Sequence, residues 1–211
     1  MIERKGFFII FGIVFGVITL FYTGVYFSAK NNTGDAISEE YISDISNVSQ
    51  DKLNLIKQYS TYYELDSNGN FNPQNSLSRI DAIKVIDKIA KQVLSQYNTT
   101  KPSIVPYFED FKSSDSNSDA ILRVVNLIDT KEDFYKHYNI LGYKLNRQDA
   151  ITHREFLNLL AVFIPVNKDL GDDYVLKNLL NYGFDLNVDL NSELSREDSV
   201  VYIDKILKSI R

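Results

Sequence analysis

Three stretches of this 211-residue chain follow one plan, and a chain that repeats itself folds as stacked copies of one unit. They are NGNFNPQNSLSRIDAIKVIDKI from Asn68 to Ile89, GYKLNRQDAITHREFLNLLAVF from Gly142 to Phe163, and GFDLNVDLNSELSREDSVVYIDKI from Gly183 to Ile206. Each carries Gly, an aromatic residue and a polar turn, then Leu or Ile, a hydroxyl residue, charged residues and an apolar run. The anchors Leu77, Ile151 and Leu194 are 74 and 43 residues apart; the longer gap matches the loose segment SQYNTTKPSIVPYFEDFKSSDSNSD. A helical stretch precedes each plan, at Lys52–Tyr63, Asp119–Ile128 and Asp172–Tyr182. The unit is therefore helix, loop, turn, helix, three times over.

Apolar residues recur at helical spacing throughout. Ile80, Ile83, Ile86, Ile89 and Val93 step by three and four, and Leu53, Ile56 and Tyr59 share a face. Strand alternation is nowhere sustained, so the fold class is all-α, with three helix–loop–helix repeats. The domain map is a stub and anchor at 1–29, a polar linker at 30–47, and a domain at 48–211. Its repeats fall at about 48–97, 104–165 and 166–211.

The shared core of the repeats is LSRID, ITHRE and LSRED. Ser78, Thr152 and Ser195 stand where an N-cap belongs, with Asp81, Glu155 and Asp198 three residues later. Glu155 completes a capping box, and the two Asp suit the positive end of a helix dipole. Capping accounts for the hydroxyl and the acid. It leaves unexplained Arg79 and Arg196, cations in a first turn. An Arg fork beside exposed helix N-termini makes a small anion site. Asp66-Ser67-Asn68-Gly69-Asn70 has the look of a calcium loop, but such a loop needs Gly at its sixth position and Glu at its twelfth. Those positions are Phe71 and Leu77, so the stretch reads as the turn feeding the next helix.

Gly6 to Ser28 holds 23 residues and no charge. At ~1.5 Å each they span roughly 35 Å, enough to cross a bilayer. Arg4 and Lys5 precede the segment, which keeps the N-terminus cytoplasmic and the rest outside. The localisation expected is single-pass in the cell membrane. A cleaved signal peptide is the rival, but its apolar core is shorter, and cleavage after Ala29 would put Phe27 where a small residue is wanted. Gly12 and Gly16 form a GxxxG that would let two such helices approach as a homodimer, although this spacing arises readily by chance. Beyond Lys30 the chain carries 20 basic and 27 acidic residues, which argues against broad nucleic-acid binding. There is no Cys, hence no disulfide, thiol chemistry or lipidated cysteine.

GNFNPQNSLSRIDA, with Gly69, Phe71 and Pro73 in place, resembles an S-layer homology repeat, whose Gly-aromatic-Pro turn leads into Ile-Thr-Arg-Ala-Glu and a helix. YFEDFKSSDSNSDAIL is similar to the opening of a second repeat, and the resemblance covers about Val48 to Leu207. It implies a pseudo-threefold bundle of three helix pairs whose grooves bind secondary cell-wall polysaccharide, with the motif Arg at the grooves. Arg79 and Arg196 match that Arg; in the second repeat His153 occupies the position and Arg154 takes the alanine position. Arg79, Asp81, His153, Arg154, Arg196 and Asp198 are thus the candidate ligand-binding residues, with Tyr143 or Tyr182 able to stack on a sugar ring. The third repeat lacks the family's Pro.

Two functions follow. One is a membrane-anchored module attaching to wall polysaccharide. The other is a protein-interaction scaffold of the cell envelope or sporulation machinery, with degenerate sugar sites. An enzyme is not expected, and neither a cofactor nor a metal. His137 and His153 are the only histidines, and the adjacent acids Glu109–Asp110 and Glu197–Asp198 point to different sides of a helix, reading as solvated faces or caps. No GxSxG, HExxH, P-loop or dinucleotide motif occurs.

Overall fold

The computed structural model describes residues 44–95, 97, 108, 110–112, 114–128, 144–165 and 172–210. The apolar segment Gly6–Ser28 with Gly12 and Gly16, most of the 30–47 linker, His137 and Tyr143 lie outside them. Among the described residues no helix is long and apolar enough to cross a membrane, and there is no β-strand. The described residues form six helices: α1 Gln50–Tyr59, α2 Arg79–Val93, α3 Ser118–Ile128, α4 His153–Leu160, α5 Asp172–Leu179 and α6 Arg196–Ser209. Helices α1, α4 and α5 each tighten into a 3₁₀ turn, at Ser60–Tyr62, Ala161–Phe163 and Leu180–Tyr182.

The motif helices α2, α4 and α6 begin as the sequence predicts. Ser78 Oγ accepts the Asp81 amide at 3.1 Å, Thr152 Oγ1 that of Glu155 at 3.2 Å, and Ser195 Oγ that of Asp198 at 3.1 Å. Glu155 returns a bond from the Thr152 amide at 2.9 Å, a full capping box. Each motif helix packs on the first helix of the next repeat: α2 on α3, α4 on α5, and α6 back on α1. The repeats therefore close into a ring.

At the centre the three anchors exchange backbone bonds in a cycle. Leu77 N donates to Leu194 O at 2.8 Å, Leu194 N to Ile151 O at 2.9 Å, and Ile151 N to Leu77 O at 2.9 Å. All three side chains are buried. Around them α2 buries Ile80, Ala82, Ile83, Val85, Ile86, Ile89 and Ala90, more than one stripe. It packs against both α3 and α4. Ten residues after the first and third anchors sit buried acids, Asp87 and Asp204. Arg123 of α3 donates to both oxygens of Asp87, at 2.8 and 2.9 Å, and Tyr97 and Lys91 donate to it as well. Asp204 receives Tyr59 of α1 at 2.8 Å and Lys208 at 2.7 Å. Both acids join a motif helix to the next repeat. Burial raises the Asp87 carboxyl, but its bonds from Arg123, Lys91 and Tyr97 outweigh that and hold it below the usual range. In repeat 2 Ala161 takes this place.

The turns before the anchors have their own clamp. The Asp44 carboxylate accepts the amides of Phe71 at 2.9 Å and Asn72 at 2.5 Å. Asp110 does the same for Leu145 at 2.7 Å and Asn146 at 2.9 Å. Asn72 and Asn146 sit at φ 54° and 47°, a left-handed conformation that Asn tolerates better than most residues. Residues 30–47 read as a tether, yet Asp44 makes this clamp and Ile45 packs against the core. Asp110, by composition a solvated acid or cap, is a clamp instead.

Ile86 is fully buried in this ring. Ile86→Ala is expected to cost about 2–5 kcal/mol in urea unfolding. Ile86→Asp, which buries an unpaired charge, is expected to yield no cooperative transition.

Candidate functional site

The positions that carry the motif cations lie where consecutive repeats meet. The first two amides of each motif helix donate across the junction to the neighbouring turn. Arg79 N and Ile80 N reach Asp149 O and Arg147 O, at 2.9 and 3.1 Å. His153 N and Arg154 N reach Ser192 O and Leu190 O, at 3.1 and 2.8 Å. Arg196 N and Glu197 N reach Asn75 O and Pro73 O, at 2.9 and 3.0 Å. The third amide goes to the cap hydroxyl. The N-terminal donors that a free helix offers to an anion are thus spent within the fold. This corrects the expectation of an anion site at exposed helix N-termini and leaves only side chains to meet a ligand.

Those side chains follow a cyclic rule: the first residue of each motif helix faces the third residue of the next. The Arg79 guanidinium donates to Glu155 at 3.0 Å and lies 3.9 Å from Asp149. Arg196 lies 3.9 Å from Asp81. His153 lies close enough to Asp198 for that charge to favour its protonated form. The rule brings five of the six candidate residues to three junctions in pairs or with Glu155. Arg154 turns outward to Asp173 of α5 at 3.1 Å, where Asp173 is almost fully exposed.

The three junctions differ in how completely their cation is satisfied. Arg79 is neutralised by Glu155 in direct contact, although its Nε, like that of Arg196, is buried without a hydrogen-bond partner. His153 is buried, with Nδ1 2.8 Å from the Tyr202 hydroxyl and its ring edge-on to the Tyr202 ring. Arg196 is buried too, its guanidinium 5.3 Å from the Tyr63 ring centre and 5.0 Å from that of Phe71. Such stacking on aromatic faces suits a guanidinium. Its Nη2 donates to Glu64 O at 2.7 Å, whereas its Nε has no hydrogen-bond partner. Burial pushes the Arg196 group down, and Asp81, Tyr63, Asp44 and Asp66 oppose that shift. Tyr63 is raised by burial and bonds Ser199 at 2.6 Å.

The closing seam of the ring carries a further cation, Lys52 of α1, which sequence reasoning passed over. It donates to Glu197 at 2.7 Å and Asp198 at 2.8 Å. Asp198 also receives the Ser195 hydroxyl at 2.7 Å. Asp66, first residue of the calcium-like stretch, spends its carboxylate on that loop. It accepts the amides of Asn68 and Asn70 at 2.8 and 2.9 Å, and the side-chain amides of Asn70 and Asn72 at 3.2 and 3.1 Å. These bonds, led by the Asn70 amide, hold it at about 2. Among the described residues no group of three or more His, Cys, Asp or Glu is placed to hold a metal. Tyr182 is half-buried against the core.

Burial lowers the His153 affinity for a proton, although Asp198 and Asp189 oppose it. The folded domain therefore binds this proton less readily than the unfolded chain. The stability owed to the neutral ring is complete above the usual value of about 6.5 and is lost as pH falls through the lower, folded value. The urea midpoint should fall between about pH 7.5 and pH 5.5, a window above the range where the paired carboxylates titrate. His153→Gln should flatten that fall; an unchanged slope would remove His153 as its source.

No family model, curated protein or solved structure matches the chain, so a functional reading rests on the junctions themselves.

Proposed function

We propose that the chain is a membrane-anchored, extracytoplasmic, non-enzymatic binding module that attaches to acidic cell-wall polysaccharide through the junction of repeats 3 and 1. The observation that carries this reading is Arg196. It is a buried cation set against two adjoining aromatic rings, with its nearest carboxylate at 3.9 Å where Arg79 has one at 3.0 Å. A carboxylate on a sugar would compete with Asp81, which is partly exposed, for that guanidinium. The resemblance of the Ser-Arg repeat motif to S-layer homology repeats supports the same ligand class. The anchor is Gly6–Ser28, and binding at the junction is non-covalent.

The scaffold reading, a protein-interaction domain of the envelope or sporulation machinery, draws on the other two junctions. Arg79 is occupied by Glu155, and His153 is bonded to Tyr202. Each thus has a close side-chain partner within the fold.

Pelleting of the detergent-solubilised full chain with purified sacculi, before and after removal of the non-peptidoglycan polymer, separates the two readings. Binding is expected to vanish on stripping. Asp81→Asn, which removes the competing charge, should tighten it by about threefold to tenfold. Arg196→Lys should weaken it by at least about tenfold, because Lys cannot reproduce the planar fork. Arg79→Ala should leave it within about twofold. No pelleting by a demonstrably folded wild-type chain would favour the scaffold.

A further inference from the structure

The Arg196 junction is built partly from residues that arrive ahead of the repeats. Its wall Phe71 is fully buried and edge-on to Tyr63, with ring centres 5.1 Å apart. The same turn supplies the carbonyls of Pro73 and Asn75, which take the Glu197 and Arg196 amides. One short segment therefore forms a wall for the guanidinium and holds the start of the helix that carries it.

Asp44 clamps that segment, alongside the Asp66 bonds to Asn70 and Asn72. Its two oxygens take consecutive amides, Phe71 and Asn72, and Asn72 is held at φ 54°. Asn adopts such a conformation more readily than most residues, and the two Asp44 bonds fix it there. Asp110 makes the equivalent pair of bonds in repeat 2, so the clamp recurs beyond repeat 1. The two clamps differ in where they come from. Asp110 lies between repeats 1 and 2 in the chain, whereas Asp44 precedes every repeat. Between Asp44 and α1 run only Ile45 to Ser49, of which Ile45 and Val48 pack against the core. Gly6–Ser28 and the polar linker precede this strap in the chain.

We propose that Asp44 is a positioning residue of the repeat 3–repeat 1 junction, and that residues 44–48 act as a strap whose docking forms the Arg196 cradle. Displacing the strap, by a pull on the tether or by a partner that binds the tether, releases Phe71 and Asn72. It opens the Arg196 junction while leaving the other two intact. For its consequence on ligand binding the inference rests on the polysaccharide reading; for the coupling itself it does not.

The test is hydrogen–deuterium exchange on the full chain in nanodiscs, read by mass spectrometry. Asp44→Asn is expected to speed exchange at residues 70–76 and 195–199 by about fivefold to twentyfold, with residues 144–152 unchanged. Asp110→Asn is expected to do the reverse. Unchanged exchange at 70–76 and 195–199 in Asp44→Asn would overturn the proposal, and so would equal acceleration in all three repeats of a variant that still folds. Should Asp44→Asn fail to fold, the unmodified chain in low urea decides. The strap, residues 70–76 and the start of α6 should then open as one unit, ahead of residues 144–152; separate opening would overturn the proposal. Sacculus pelleting is read beside it. Wild-type binding lost in Asp44→Asn but kept in Asp110→Asn extends the coupling to the ligand. Wild-type binding kept in Asp44→Asn overturns the positioning role. Absence of wild-type binding counts against the polysaccharide reading alone, and the exchange result still decides the strap.

Discussion

The fold depends on a cycle of three backbone hydrogen bonds among Leu77, Ile151 and Leu194. Each anchor gives its N–H to one neighbour and its C=O to the other, so no member of the cycle can be satisfied by its own repeat. Buried main-chain groups without partners cost as much as lost hydrogen bonds, which makes the three turns mutually obligatory. The next amides extend the rule outward, from each helix start to the neighbouring turn. Repeats arranged this way are not independent units summed along a line. The packing of α6 on α1 closes them into one object, in which the last helix completes the first repeat.

Closure has a chemical consequence. A helix start is an attractive place for an anion only while its amides are free. Here the same amides hold the ring together, so structure and anion binding compete for one set of donors and structure takes them. The side chains repeat the pattern one layer out, where the first residue of one motif helix meets the acid of the next. Arg79 and Glu155 satisfy the rule fully. His153 satisfies it as a neutral group turned to Tyr202, because Asp198 is held by Lys52 and Ser195. Arg196 satisfies it least, since aromatic faces replace close carboxylate contact. A symmetric backbone thus carries three electrostatically different junctions.

Much of this was legible in the sequence because its signals are local. Caps at Ser78, Thr152 and Ser195, and the stripe Ile80, Ile83, Ile86 and Ile89, are spelled within single turns of helix. The recurrence of Leu77, Ile151 and Leu194 announced three units. What could not be read were partners supplied from elsewhere in the chain. Nothing near Arg79 names Glu155 as its acceptor, and nothing near Asp198 names Lys52, 146 residues away. Asp44 and Asp110 were hidden for a related reason. A single acid in a polar stretch reads as solvated unless its target turn is known. The hint available was parallel wording, since YISDI and YFEDF set the two acids in matching contexts ahead of two similar turns.

The asymmetry among the junctions and the position of the strap have one origin in chain connectivity. A closed ring of three repeats has two junctions bridged by continuous chain and one where the ends of the domain meet. That third junction unites α6, the last helix, with the turn of repeat 1. It is also where Asp44 docks and where Arg196 lacks a close carboxylate. The continuous junctions are held by the chain whether or not their side chains are ideal. The closing junction depends wholly on non-covalent contacts, namely Lys52 to Glu197 and Asp198, Arg196 on its aromatic walls, and Asp44 on the turn. It is therefore the one place in the ring where a modest change of contacts converts into opening. A ligand or tether acting on this molecule has the greatest leverage there.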